Sequence, residues 1–243
     1  MAKLELRSVV KRFGDNTVCD GIDLDVEAGQ MVCLIGASGA GKSTLLRCIN
    51  LLEPIEDGEI WLDGADISVP GLDPQTVRSR IGMVFQSYNL FPHMTALENA
   101  MLAPRRVRGA TRVQIQPQVE ALFERFNLAD RMHNYPDQLS GGQQQRVAIV
   151  RALAMQPEVM LFDEITSALD PQLVGEVLDV LLALKQQGMT MVLATHEMGF
   201  AREAADKVCF LKDGRIIEQG PPADLFGAPK MHETQEFLAR TIK

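Results

Sequence analysis

The chain has 243 residues, of which 46% are hydrophobic and 23% are charged, a composition typical of a soluble globular protein. Its formal net charge of −8 argues against a general surface for nucleic acids or other polyanions. No segment approaches the ~20 consecutive apolar residues that cross a bilayer, and the first residues lack the apolar stretch of a signal peptide. Any role at a membrane is therefore expected to act through a partner.

Alternation of apolar and polar residues near the N-terminus predicts half-buried strands. Ile22, Leu24 and Val26 are separated by aspartates, and residues 60–62 lie between two Asp-Gly turn pairs. Both runs predict a small antiparallel sheet. The cysteines lie in or beside apolar runs without metal-ligand spacing, so we interpret them as reduced, structural residues of a cytosolic protein. They are Cys19, Cys33, Cys48 and Cys209.

Residues 36–44 read GASGAGKST, which fits the phosphate-loop pattern G-x-x-x-x-G-K-[ST]. The loop follows an apolar run and precedes a helical one, and its glycines let successive amides point at one anion. Lys42 is predicted to reach the β and γ phosphates, and the Ser43 hydroxyl to ligate Mg²⁺. The alternative, a glycine-rich turn with an exposed lysine, fits that context less well. The predicted nucleotide-binding residues of the loop are Gly36, Ala37, Ser38, Gly39, Ala40, Gly41, Lys42, Ser43 and Thr44.

The stretch from about residue 95 to 154 is mainly helical by pattern and begins with a capping box between Thr95 and Glu98. It interrupts an alternation of strands and helices, so we predict a helical insertion into an α/β core. Within it, LSGGQ at residues 139–143 opens a helix, with Ser140 and Gln143 spaced as a second capping box. The two glycines between them form an amide nest that suits an anion, although a capped helix with a glycine turn is the simpler alternative. They are Gly141 and Gly142.

Nearly continuous apolar runs at residues 31–35, 159–162 and 189–194 predict strands buried on both faces of a parallel sheet. The second run ends in Asp163 and Glu164, and side chains at the carboxyl end of such a strand face the ligand crevice. Asp163 is predicted to hold magnesium and Glu164 to act on the attacking water as a general base. The alternative is a pair of solvated acids in a loop, which the phosphate loop in the same chain disfavours.

A helix is predicted over residues 171–185, with Asp170 as its N-cap, proline at its first position and Gly188 just past its end. His196 follows a buried strand beside the crevice, where its imidazole could reach the γ phosphate. His133 and His232 have no partners in the sequence and are interpreted as surface residues.

These motifs occur in the order and spacing of ABC transporter ATPases, and the chain resembles that family over essentially its whole length. Gln86 matches the family's lid glutamine, which contacts the metal or the attacking water, and Phe13 matches the aromatic that stacks on adenine. The resemblance implies ATP and Mg²⁺ as ligands. It implies catalytic roles for Lys42, Glu164 and His196, metal contacts for Ser43, Gln86 and Asp163, and further nucleotide contacts at Phe13, Asp170 and Ser140 to Gln143.

The resemblance also implies the architecture. We expect a single α/β domain over residues 1–243, with a P-loop NTPase (RecA-like) core, an N-terminal antiparallel β subdomain and an inserted helical subdomain. The core with its β subdomain spans about 1–88 and 155–243, and the helical subdomain about 89–154. The expected assembly is a head-to-tail homodimer, with ATP clamped between one chain's phosphate loop and residues 140–143 of the other.

Residues 85–95 and 195–203 resemble the polar amino acid uptake subfamily. That likeness implies an importer ATPase at the cytoplasmic face of the membrane, with two transmembrane permease subunits, an extracytoplasmic solute-binding protein and no nucleic acid. The chain departs from many relatives at Ile165, which replaces a proline after the catalytic glutamate. We expect this change to loosen a local restraint while leaving every chemical group in place.

Two other functions compete with this one. A soluble ABC-type ATPase acting on DNA or ribosomes usually carries zinc cysteines, long coiled coils or a second cassette, and none is found here. A non-catalytic, structural or regulatory cassette would not need Lys42, Glu164 and His196 together. The importer ATPase is therefore the leading hypothesis.

Overall fold

The computed structural model describes residues 2–241, and the sequence pattern accounts for most of its helices and strands. The strands are β1 (Ala2–Phe13), β2 (Asn16–Glu27), β3 (Met31–Ile35), β4 (Asp57–Leu62), β5 (Ala65–Asp66), β6 (Ile81–Val84), β7 (Val159–Asp163), β8 (Thr190–Ala194), β9 (Lys207–Lys212) and β10 (Arg215–Gly220). The helices are α1 (Lys42–Ile49), α2 (Pro74–Arg78), α3 (Ala96–Val107), α4 (Arg112–Arg125), α5 (Gly141–Leu153), α6 (Pro171–Gln186), α7 (Met198–Ala204), α8 (Pro222–Gly227) and α9 (His232–Thr241).

A six-stranded sheet in the order β10-β9-β3-β8-β7-β6 forms the centre of the fold. Strands β9, β3, β8, β7 and β6 run parallel, and β10 pairs with β9 in the antiparallel sense. Every residue of β3, β7 and β8 is buried, which confirms the prediction of strands covered on both faces. Since parallel strands end at one edge of a sheet, the residues that follow these strands lie side by side.

The predicted antiparallel sheet is confirmed. It has four strands in the order β2-β1-β4-β5, and Leu4 pairs with Leu62 while Leu6 pairs with Ile60. Its inward side chains share one apolar core with α1 and with one face of the central sheet. The sheet therefore braces the segment that runs from β3 into α1.

The helical stretch is also confirmed, and α3 begins as predicted. Thr95 is its N-cap, its backbone N–H donating to Glu98 Oε2 over 2.9 Å and its Oγ1 accepting from the Glu98 backbone over 3.3 Å. Helices α3, α4 and α5 pack on one another, while residues 126–140 form only short 3-10 turns. No helix within residues 2–241 is long and apolar enough to cross a bilayer. The four cysteines are buried and free, as predicted.

An ion-pair network ties the start of the chain to the central sheet. Arg80 donates to both oxygens of Glu158, over 2.6 Å and 3.0 Å, and Lys3 Nζ lies 2.7 Å from Glu158 Oε2. Hydrogen bonds from Arg80, followed by those from Lys3, lower the pKa of Glu158 to about 2. The network joins β1 to the entries of β6 and β7.

Replacing Glu158 by glutamine is expected to lower the free energy of unfolding by about 1 kcal/mol near neutral pH, since solvent partly screens the network. Because the folded pKa is depressed, this stabilisation is present above the ordinary value of 4.5 and is lost as the pH falls toward about 2. Urea unfolding at about pH 7 and about pH 3.5 measures the difference. Exposed Glu203 supplies the control, E203Q, and an E158Q deficit that does not shrink in acid would contradict the assignment.

Candidate functional site

Two neighbouring strands leave room only for glycine at two positions of the phosphate loop. Gly36 and Gly41 have φ angles of 151° and 102°. A Cβ on Gly36 would lie 2.3 Å from the Leu211 carbonyl oxygen of β9, and one on Gly41 would lie 2.6 Å from the Val18 oxygen of β2. Backbone cannot give way at such distances, so only glycine fits at these two positions. The loop is thus wedged between β9 and β2.

Lys42 points back into the loop. Its side chain is only 3% exposed, and Nζ donates to the carbonyl oxygens of Gly36 at 2.9 Å and Ala37 at 3.2 Å. The same nitrogen lies 3.3 Å from Glu164 Oε1. The crest of the loop, residues 37–39, is exposed. An anion lying on this crest would meet amide groups and a lysine whose charge is already held in place.

Ser43 and Asp163 form an oxygen pair beneath the loop. Ser43 Oγ donates to Asp163 Oδ1 over 2.5 Å, and Asp163 is buried at the end of β7. Burial raises the pKa of Asp163, and the bond from Ser43 partly opposes the rise. A buried carboxylate of this kind is stabilised by a cation. The hydroxyl and carboxylate oxygens fit Mg²⁺, which takes few protein ligands and completes its shell with phosphates and water.

Two side-chain nitrogens from different elements converge on one oxygen of Glu164. His196 Nε2 lies 2.9 Å from Oε1, the atom that Lys42 Nζ also approaches. Glu164 has a φ of 47°, a left-handed conformation that costs on the order of 1 kcal/mol for a residue with a Cβ. Its backbone N–H donates to Ala194 O over 3.0 Å, and its carbonyl accepts from Ser167 Oγ over 2.9 Å. Those bonds hold the strained residue in place.

Ile165 is restrained in a way that the sequence did not reveal. Its side chain is buried in the main core with Phe162 and Val177. Replacement of proline by isoleucine predicts a looser local restraint at this position. Packing of the Ile165 side chain in this core restrains the segment. Glu164, the residue before it, keeps its left-handed backbone conformation.

The second amide nest, residues 140–143, has the predicted capping box. Ser140 N donates to Gln143 Oε1 over 2.9 Å, and Gln143 N donates to Ser140 Oγ over 3.3 Å. A Cβ on Gly141 would approach the Tyr88 hydroxyl at 2.8 Å. Among the hydrogen bonds of residues 2–241, none joins this nest to the phosphate loop. A single chain therefore does not bring its two predicted phosphate nests together by direct bonding.

The remaining predicted residues lie around this centre. Gln86 is exposed and lies just past the end of β6, which pairs with β7. It therefore lies at the same edge of the sheet as Asp163. Phe13 ends β1 with 48% of its surface exposed, and Lys11 Nζ lies 4.7 Å from its ring centroid. Asp170 caps α6, accepting from the Gln172 backbone over 3.3 Å, which confirms the predicted N-cap.

One residue that the sequence analysis missed connects α5 to the loop after Gln86. Arg151 donates to the carbonyl oxygens of Asn89 at 2.5 Å and Tyr88 at 3.1 Å. Asn89 has a φ of 50°, so the loop turns sharply where it is held. A lone arginine in a helical run gives no signal of such a contact in the sequence.

Comparisons with known proteins agree with this geometry. The profile described as ABC transporter matches residues 19–167. The chain is 51% identical to a glutamine transport ATP-binding protein of Escherichia coli, covering 97% of this chain and 98% of that protein. It is 50% identical to a glutamate transport ATP-binding protein of Corynebacterium glutamicum (98% and 99% covered) and 49% identical to an L-cystine import ATP-binding protein of Bacillus subtilis (98% of each).

Solved structures agree as well. The ATP-binding cassette MJ0796, solved as a dimer in a post-hydrolysis state with ADP and phosphate, is 34% identical with a TM-score of 0.80, covering 90% of this chain and 98% of that one. CbiO1 of Clostridium perfringens, part of an ABC transporter complex, is 27% identical with a TM-score of 0.84, covering 98% and 96%. The predicted fold class and ATPase class are thereby confirmed. This chain belongs to the ABC transporter family, as one of its ATP-binding subunits.

Proposed function

We propose that this chain binds ATP with magnesium and hydrolyses it to drive the uptake of a polar amino acid through a membrane permease. The observation that carries the proposal is the meeting of Lys42, His196 and Glu164 beside the Ser43–Asp163 pair. The cargo class is supported by relatives named for glutamine, glutamate and cystine transport. The chain would act at the cytoplasmic face of the membrane.

Hydrolysis would proceed by in-line attack of water on the γ phosphorus, with the bond to the β–γ bridging oxygen breaking. Glu164 would orient this water and accept its proton, while Lys42 and His196 would stabilise the charge on the phosphate oxygens. Ser43, Asp163 and Gln86 would hold magnesium, which shields phosphate charge when bound. Lys42 contacts loop carbonyls and Glu164, and a bound phosphate would take the place of these contacts.

The second nest is best explained by a partner copy. In the proposed head-to-tail homodimer, ATP on the phosphate loop of one chain meets the amides at the start of α5 in the other. Ser140 is exposed and its hydroxyl already caps the helix, so the neighbouring amides are held ready for an anion. Adenine would stack on the exposed ring of Phe13, and Asp170 would lie across the same interface.

The permease would dock on a groove in the helical part of the chain, next to the loop after Gln86. The groove is largely apolar at its surface, and exposed Phe91 is prominent in it. We call this the permease groove; its lining includes Phe91, His93, Met94, Leu102, Arg106 and Arg151. Two permease subunits and, beyond them, an extracytoplasmic solute-binding protein would complete the importer. No role with nucleic acid is proposed.

Replacing Lys42 by alanine is expected to reduce ATP hydrolysis by about 10²-fold or more, since one preorganised donor to the phosphates is lost. Phosphate release by the purified chain measures the loss. Lys230, an exposed lysine outside the phosphate loop, gives the matched control K230A. Parental activity in K42A would remove the phosphate loop from the site.

Replacing Glu164 by glutamine is expected to separate binding from hydrolysis. Hydrolysis should fall by roughly 10²–10⁴-fold because the general base is lost. ATP binding should be retained or improved, because the ion pair that occupies Lys42 and a negative charge near the γ phosphate both disappear. ATP then stays intact between the two nests and holds the dimer together.

Light scattering with and without ATP and magnesium tests this dimer. E164Q should be dimeric with nucleotide and mainly monomeric without it. The double variant E164Q/S140R should remain monomeric, because an arginine would fill the partner nest. An E164Q chain that stays monomeric at saturating ATP would contradict the sandwich dimer for the isolated subunit.

Replacing Phe91 by alanine is expected to lower transport more than it lowers ATP hydrolysis by the isolated chain. Phe91 lines the permease groove, whereas the Tyr88 hydroxyl also donates to the Ala168 carbonyl, so Phe91 is the cleaner site. Uptake by proteoliposomes with the complete importer is compared with phosphate release by the chain alone. Exposed Met231 gives the control M231A. Equal losses in both assays would place Phe91 in the catalytic core instead.

A further inference from the structure

The end of α3, the start of α4 and the turn that joins them carry concentrated positive charge in an acidic chain. Four arginines fall within eight residues, with no acidic residue among them, although the whole chain has a net charge of −8. All four are exposed. We call residues 105–113 the arginine turn; its arginines are Arg105, Arg106, Arg108 and Arg112.

The fold does not neutralise this charge. Within residues 2–241, no ion pair involves any of the four arginines. Arg108 donates to neutral groups, the Met155 carbonyl and the Gln156 amide, and Arg112 donates to the Gln116 amide over 2.9 Å. Glu98 interacts electrostatically with Arg112 and Arg105 without forming an ion pair with either. One of its carboxylate oxygens is hydrogen-bonded to Thr95 in the capping box. Clustered like charges are costly unless a partner of opposite charge meets them.

Aliphatic side chains stand out among the charges. Val113 is 84% exposed and Val107 is 53% exposed, the two most exposed large hydrophobic residues of the described chain. Neither contributes to either apolar core. Exposed aliphatic groups interleaved with arginines favour binding to a partner surface that is apolar inside and anionic at its edge. A phospholipid bilayer has such a surface.

The arginine turn adjoins the permease groove. A depression lined by Arg105, Arg106 and Arg112 shares Met94, Leu102 and Arg106 with that groove. If the groove receives the permease, as the proposed function holds, the turn faces the membrane beside it. The net negative charge of the rest of the chain would disfavour other orientations on an anionic bilayer.

We propose that the arginine turn binds the anionic phospholipid headgroups of the leaflet on which the permease presents its docking surface. The guanidinium groups pair with headgroup phosphates, and Val107 and Val113 enter the interface. The contact holds the ATPase against the bilayer and adds to the attachment that the permease groove provides.

Co-sedimentation of the purified full-length chain with vesicles tests this contact without permease or nucleotide. The chain should bind vesicles of phosphatidylglycerol and phosphatidylcholine, release them in high salt, and ignore pure phosphatidylcholine. Each basic residue near an anionic surface contributes about 1 kcal/mol, or about fivefold in partitioning, so R105Q/R112Q, which leaves the permease groove unchanged, should bind about 25-fold more weakly. V113S should weaken binding without changing its salt dependence.

A double variant with the same change in charge, R202Q/K230Q, is the control, because both residues are exposed and lie outside the arginine turn. It should bind as the parent does. Absence of parental binding to anionic vesicles would overturn the proposal, and so would equal losses in both double variants. If the parent does not bind vesicles but R105Q/R112Q reduces uptake by the complete importer, the turn contacts an acidic permease segment instead. Retained ATP hydrolysis in R105Q/R112Q keeps this result separate from any failure of the proposed function.

Discussion

The site depends on the hydrogen-bonded ladder that holds β3, β8 and β7 side by side. Thr195 N donates to Leu34 O over 3.2 Å, and Glu164 N donates to Ala194 O over 3.0 Å, so the ladder continues just past the strand ends. Lysine, carboxylate and imidazole groups that lie far apart in the sequence therefore reach one point. Because these strands are buried on both faces, a shift in their register would displace all of their packed apolar side chains.

This scaffold allows charges to be held where they would otherwise be costly. Lys42 is almost fully buried, and its charge is tolerated because two carbonyls and Glu164 surround the amine. Asp163 is buried with one hydroxyl donor, and its raised pKa reflects incomplete compensation. A triphosphate with a divalent cation would supply an anion for the lysine and a cation for the aspartate. On the proposed function, the site suits that pair of ligands together.

Much of this arrangement could be predicted from the sequence because local rules and tertiary structure agree. Period-two alternation gave the antiparallel sheet, continuous apolar runs gave the buried strands, and residue types at fixed offsets gave the caps at Thr95, Ser140 and Asp170. Strand ends also explain why Asp163 and Glu164 share an edge with the phosphate loop.

Other features depend on contacts between distant residues and have no local signal. The bond between His196 and Glu164, the left-handed backbone of Glu164 and the burial of Ile165 all follow from neighbouring strands and cores. Arg151 reads as one more helical arginine until the loop that it holds is placed beside it. The roles assigned to individual site residues stay predictions, since they concern groups in contact with nucleotide.

Helix α5 gives a physical basis for linking the two ends of the proposed mechanism. Ser140 caps its first turn, where nucleotide from the partner chain would be met, and Arg151 lies eleven residues later, about 16 Å along a helix with a rise of 1.5 Å per residue. Arg151 grips the backbone of Tyr88 and Asn89, in the loop between Gln86 and the permease groove. On the proposed mechanism, α5 would move as one unit, so a displacement at its start would reach this loop. On the proposed mechanism, closure of the dimer on ATP and movement of the permease groove are thus two consequences of one helix displacement.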